Sequence, residues 1–194
     1  MIKHVSNMKN DIENLTGKIL ISTPAISNEY LSKSMVFICN HDKSGAMGLV
    51  INKPIPNMNI KGLLSKINVT AERLENIELH FGGIEEPDRC FILHSHDYKV
   101  SESIIIKDNI ALTVNTDILR ACISNEGPQK KLICIGCCMW EVEQLENEVA
   151  SSYWIPIDSD EALIFGNPKA DKWSKALMKI GSHTNLFSNT SGNA

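Results

Sequence analysis

The chain has 194 residues, 43% of them apolar and 22% charged, with a formal net charge of −4. A chain of this length buries roughly 70% of its unfolded surface, so it needs no disulfide or metal for stability, and its composition is that of a soluble globular protein. Its densest basic runs are Lys130-Lys131 and the scattered lysines of 169–179, which argues against direct nucleic-acid binding and against anionic membranes.

No apolar run approaches the ~20 residues of a membrane span. The polar, mixed-charge start MIKHVSNMKNDIENL lacks the apolar core of a signal peptide. The expected compartment is the cytoplasm, where the six cysteines stay reduced.

In chain order, residues 1–14 read as a flexible lead-in. GKILIST, from Gly17, is an apolar, β-branched run of strand length that Pro24 ends. Strands over Met35–Asn40 and Gly48–Asn52 flank HDKSGAMG, a hairpin closing near Ser44-Gly45. Lys53-Pro54 and Pro56 stop the pairing. Ile60, Leu63, Leu64 and Ile67 recur at helical spacing and predict a short helix over Asn59–Lys66.

Strands follow at Ile77–Phe81, running into Gly82-Gly83, and at Cys90–His94. SIIIK and IALTV around Asp108-Asn109 read as a hairpin. Thr116 or Asp117 caps a helix through Ser124, and Gly127-Pro128 breaks it. KLICIG is a continuous apolar run, the mark of a central strand covered on both faces. A helix is expected from about Trp140 to Ala150, an extended YWIPI after it, and a last helix between Asn167-Pro168 and Gly181 carrying Trp173, Ala176, Leu177 and Ile180. The tail, 182–194, is polar and small and is expected to be disordered.

Cys134 and Cys137 form a C-x-x-C with Cys138 beside them, but a structural zinc site needs four ligands and no second pair exists. Buried thiols are the preferred reading; the sharpest alternative is Cys137 or Cys138 as a nucleophile at a helix N-terminus. His94 and His96 sit on one face of a strand, though nothing completes a metal site. Glu141, Gln144 and Glu148 share a helix surface at i,i+3 and i,i+4 spacing, so a solvated face is the plain reading. Gly82-Gly83 reads as a tight turn ahead of a phosphate nest. No G-x-G-x-x-G, P-loop or G-x-S-x-G is present. Neither a metal nor a cofactor is expected.

Several blocks together resemble the YqgE/AlgH family of bacterial proteins: LTGKILISTPAI, then SMVFICNHDKSGAMGLVINKP, in which GAMGLVINKP is the most specific, then HFGGIEEPDRCFILHS, NTDILRA followed by GP, IGCCMWEVEQLENEV, SYWIPIDSDEALIF and KWSKALMKIG. Their order and spacing cover about Leu15 to Gly181. Gly136, Trp140, Gln144, Leu145, Glu146 and Glu148 match the family block, whereas Cys137 and Cys138 stand at an aromatic and a small position. Met139, Glu141 and Glu143 stand where glycines or a turn are usual, Ile84-Glu85 where Pro-Val is common, and Cys90 where a Gly is common. A family-wide activity therefore does not need these thiols.

The resemblance implies an α/β or α+β fold with a mixed, curled sheet approaching a pseudo-barrel, flanking helices and a smaller α/β portion, in one compact domain over residues 15–181 that could comprise two subdomains. It implies a bacterial cytoplasmic protein and no established reaction; some members carry a transcriptional-regulator label. The favoured function is a non-enzymatic binding or regulatory module acting through an unknown protein or a small anionic ligand. Its candidate site is His41, Asn52, Pro54, Gly82, Gly83, Arg89, His94, Trp140, Gln144 and Glu148, with Arg89 recognising a carboxylate or phosphate that Asn52 and His94 fix. The alternatives are a hydrolase-like enzyme using Glu146 or Glu148 with His94, and a transcriptional regulator, for which no helix-turn-helix is readable. Oligomeric state stays open.

Overall fold

A computed structural model of the chain describes residues 14–56, 78–166 and 171–184. The strands are β1 (Lys18–Ser22), β2 (Met35–Asp42), β3 (Gly45–Val50), β4 (Leu79–Phe81), β5 (Glu85–Ser95), β6 (Ile104–Lys107), β7 (Ile110–Thr113), β8 (Lys131–Trp140) and β9 (Trp154–Asp158). The helices are α1 (Thr116–Ser124), α2 (Gln144–Ala150), α3 (Glu161–Phe165) and α4 (Lys172–Thr184). The lead-in before Asn14, the helix expected over Asn59–Lys66, the Asn167-Pro168 cap and the tail beyond Thr184 lie outside the described residues.

The strands form one curled sheet in the order β6-β7-β5-β8-β3-β2-β1-β9, with β4 also pairing β8. Every pairing is antiparallel except β4 with β8. The mixed, curled sheet is as expected, but the protein is mostly sheet with a few helices. It is not organised as parallel βαβ units.

Alternation along the strands explains the layers. Ile19 and Ile21 of β1 join Met35, Phe37, Leu49, Ile51, Leu93 and Cys134 in one core, which α3 and α4 close with Ile164 and Ala176. Leu20 points the other way, with Val36, Ile38, Val50, Trp140 and Trp154, against Leu145 of α2. Beyond β8 the second face is covered by α1, whose Ile118, Leu119, Cys122 and Ile123 pack on Ile92, Ile133 and Ile135. Asn115 caps α1, its side chain accepting from the amides of Asp117 and Ile118. Burial on both faces is why β1, β2 and β8 read as unbroken apolar runs.

Several boundaries move. β3 begins at Gly45 and β5 at Glu85, ahead of the apolar stretches that marked them. β8 runs on past Gly136 to Trp140, paired to β3 through Gly48↔Cys138 and Ala46↔Trp140. Cys137 and Cys138 thus sit inside a buried strand, the alternative that placed them at a helix N-terminus falls, and the helix expected from about Trp140 begins at Gln144. α3 was not expected. Asp171 caps α4, accepting from Ser174, and the helix continues through Gly181 to Thr184.

Gly82 and Gly83 carry the chain between β3 and β8. The Gly82 amide donates to Ile135 O and its carbonyl accepts from Val50. A Cβ on Gly82 would stand 2.2 Å from Gly136 O, and one on Gly83 2.0 Å from the Cys137 carbonyl carbon. Close backbone approach, not phosphate binding, is what requires glycine here. Gly136, at φ +74°, completes the crossing.

Candidate functional site

The residues that the structure brings together lie where β8 hands over to α2. Glu148, on α2, is held by three donors. Its Oε2 accepts the indole N–H of Trp140 at 2.9 Å and that of Trp154 at 2.8 Å, and its Oε1 accepts the Gln144 amide at 2.9 Å. The two indoles meet edge to face at 6.0 Å, a favoured aromatic geometry. Both are buried, so their N–H groups have no water to turn to. Gln144 in turn accepts the Glu141 amide at 3.0 Å, closing the β8–α2 turn.

Glu143 precedes α2 in the left-handed region, at φ 62°, and makes no side-chain cap. This is one of the positions where the family block carries glycine or a turn, and left-handed backbone is the physical reason.

Outside this clamp lies an open depression of about 380 Å³, lined by Glu141, Val142, Gln144, Asn147, Glu148, Ser151 and Tyr153. Two of the seven are carboxylates and none is a cation. Val142 and Tyr153 are exposed apolar surface on its rim.

His41 is buried on the same side of the fold. Its Nδ1 accepts the Leu15 amide at 3.0 Å, so the proton sits on Nε2, which donates to Glu146 Oε1 at 3.1 Å. His41 thereby ties the β2 end to α2 and the N-terminal segment.

The other expected site residues do not converge here. Asn52 accepts from the Met35 amide at 2.7 Å and donates to Lys33 O at 2.9 Å, bracing a left-handed residue. Pro54 forms an isolated bridge with His80. Arg89 is exposed, paired with Glu86 at 2.7 Å and stacked over Phe91.

His94 is fully buried. Its Nδ1–H donates to Ser95 O at 2.8 Å, and its Nε2 accepts from Thr113, whose hydroxyl also meets Ser103. Burial holds its pKa below the ordinary histidine range. Arg89 and His94 are five residues apart on one strand, roughly 15 Å at strand rise. The anion clamp expected from Arg89, Asn52 and His94 is not assembled, because two of the three are spent on backbone ties. Nor does His94 meet Glu146 or Glu148, whose partners are His41 and the indoles.

The thiols behave as interior groups. Burial pushes Cys137 up to about 11, with the Glu86 and Glu85 carboxylates adding to it, and Cys138 up to about 12, with Cys137 adding to it. Cys39 and Cys134 are driven higher still. Thiolate is what nucleophilic or metal chemistry needs, and these environments suppress it. Among the described residues, no group of three or more His, Cys, Asp or Glu side chains is placed to hold a metal.

Trp154, Asn147 and Tyr153 escaped the sequence reading. Trp154 sits in an extended YWIPI with no polar pattern, and nothing in the spacing of Trp140 and Trp154 announces a shared carboxylate.

The comparisons with known proteins agree with this architecture. A family model described as AlgH-like matches residues 19–185. Among curated relatives, the YqgE protein of Escherichia coli is 37% identical over 173 residues, covering 87% of this chain and 92% of that one. A UPF0301 protein of Afipia carboxidovorans is 32% identical over 189 residues, covering 93% and 90%. The solution structure of AlgH from Pseudomonas aeruginosa superposes with a TM-score of 0.76 at 28% identity over the whole of both chains. A crystal structure from Corynebacterium diphtheriae, at TM-score 0.68 and 16% identity over 87% of this chain and 88% of that one, shares the fold. Among the described residues no helix is long and apolar enough to cross a membrane. With the family model spanning most of its length and relatives above 30% identity along nearly all of it, the chain belongs to the AlgH-like family.

Proposed function

We propose that the protein is a non-enzymatic, cytoplasmic binding module that docks a basic, donor-rich segment of a partner protein in the depression beside α2. The observation that carries this reading is the Glu148 clamp. Three donors fix one carboxylate as a wall of an open, acidic, partly apolar depression. Held this way, Glu148 lines the depression with one acceptor position of Oε1 beyond the Gln144 bond, and it loses little freedom when a partner arrives.

The same clamp speaks against general-base work. The Glu148 oxygens are already committed to the two indoles and Gln144, and among the described residues no histidine is hydrogen-bonded to it. Charge favours the protein arm of the original expectation over a small anion, since the lining carries Glu141 and Glu148 without a cation. A regulatory role through such a partner is compatible with the acidic net charge.

The test is parallel affinity capture from native extract with the wild type, Asn147→Arg and Arg89→Ala. Asn147 is exposed, lines the depression and lies outside the clamp. The reading expects one prey set shared by the wild type and Arg89→Ala and lost from Asn147→Arg. Equal recovery by all three contradicts it.

A further inference from the structure

The depression beside α2 has one basic segment tethered close to it. Between Lys131 and Lys169 the sequence holds seven acidic residues and no lysine or arginine. Four of the seven, Glu141, Glu143, Glu146 and Glu148, lie on α2 or just before it. Residues 1–10, MIKHVSNMKN, are the converse. They carry Lys3, His4 and Lys9 with no acidic residue, and Ile2, Val5 and Met8 between them.

The first described residues are pinned next to α2. Asn14 Nδ2 donates to His41 O at 2.9 Å, the Leu15 amide donates to His41 Nδ1 at 3.0 Å, and His41 Nε2 donates to Glu146 Oε1 at 3.1 Å. The Leu15 side chain is buried in one cluster with Leu145 of α2 and the two indoles of the Glu148 clamp. Lys9 precedes Asn14 by five residues and Lys3 by eleven, spans of up to roughly 17 and 37 Å at about 3.4 Å per residue. Glu146 stands about 100° round the helix from Asn147, which lines the depression, and a helix is about 10–12 Å across with its side chains. Both lysines therefore reach the depression from where the chain is anchored. On its rim Val142 and Tyr153, 60% and 42% exposed, are apolar surface that Ile2, Val5 and Met8 can cover. A tether this short holds the segment at an effective concentration of about millimolar, which a partner free in solution has to overcome.

We propose that residues 1–10 occupy the acidic depression in cis, so that a partner binds only by displacing them. The proposal rests on the reading of the depression as a docking surface for basic segments, and it adds how that surface is regulated. Charge and apolar contact select the segment, and the anchoring of Asn14 and Leu15 beside α2 favours this occupant over a second copy of the chain.

The test uses the full chain labelled with nitrogen-15 and, as probe, a synthetic peptide of residues 1–12. The indole N–H groups of Trp140 and Trp154, both bonded to Glu148 Oε2, report on the depression by nuclear magnetic resonance. The Trp173 indole, which donates to Ser22 O at 2.9 Å, is the internal control. In Lys3→Gln/Lys9→Gln the first two resonances are expected to move and the third to stay, and added peptide should return them towards their wild-type positions. The peptide should bind this variant at least about fivefold tighter than the wild type, the gain expected when a tethered competitor is removed, and adding Asn147→Arg should abolish that gain. Glutamine is neutral, so the variant offers the peptide no new attraction, and circular dichroism confirms that each variant folds. Unmoved indoles with equal peptide affinity for wild type and variant overturn the proposal and leave the docking surface standing. Absence of peptide binding to either protein also overturns it, and the capture experiment then decides the wider reading on its own.

Discussion

Removing the Glu148 carboxylate tests the clamp. In Glu148→Ala the indole N–H groups of Trp140 and Trp154 lose their acceptor while 6% and 2% exposed. An unsatisfied buried donor costs about 1–3 kcal/mol, so two give about 4 kcal/mol. Gln144 is exposed and finds water, adding nothing. Urea unfolding followed by tryptophan fluorescence reads this as a fall in midpoint of about 2 M, at a slope of about 2 kcal/mol per M. Glu148→Gln retains one carbonyl oxygen for the indoles but turns its amide against the Gln144 amide, and it should cost about half as much. A cycle pairing Glu148→Ala with Trp154→Phe should show coupling above about 1 kcal/mol. A loss below about 1 kcal/mol for Glu148→Ala refutes the reasoning, since the indoles would then have found other acceptors.

Stability should fall on acidification from pH 6.5 towards 4. Burial, with Lys172 adding to it, depresses the folded pKa of His80 from 6.5 to about 4, so the unfolded chain binds the extra proton in that window. The contribution is full above 6.5 and amounts to about 3 kcal/mol; buried His94 acts in the same direction. His80→Leu should flatten the slope in urea titrations across this range, and an unchanged slope counts against the assignment. Glu143→Gly relieves left-handed backbone and should be about 1 kcal/mol more stable in thermal unfolding than Glu143→Ala, which loses the same side chain; equal stability of the two contradicts the strain argument. Gly83→Ala forces a carbon to 2.0 Å from the Cys137 carbonyl and should abolish folding or cost more than about 3 kcal/mol, as circular dichroism would show. Cys137 and Cys138 should resist iodoacetamide at pH 7.5 until denaturant is added; rapid alkylation of either in folded protein contradicts their inert role.

The elements were legible where one periodicity ruled. β1, β2 and the first half of β8 are unbroken apolar runs because both faces are covered, and α1 announces itself through a clear apolar stripe, although its cap is Asn115 and not the Thr116 or Asp117 expected. The end of β8 was misread because Gly136, Cys137 and Cys138 look like a turn. In fact Gly136 bends the strand to admit Gly83, and pairing with β3 carries it to Trp140.

Of the candidate site, Trp140, Gln144 and Glu148 do converge. His41 reaches α2 by way of Glu146. Asn52, Arg89 and His94 misled because a polar residue that matches a family block can serve a backbone as readily as a ligand. Trp154 and His80 were invisible, since a cross-chain indole contact and an orphaned imidazole are products of tertiary packing and leave no local pattern.

The central claim is that the depression beside α2 docks a basic protein segment. Titration calorimetry of the captured partner against the wild type and Glu141→Lys, at two salt concentrations, tests it most directly. The account predicts at least tenfold weaker binding for Glu141→Lys and a loss of wild-type affinity on adding salt. Equal affinity for both proteins, unmoved by salt, would contradict it.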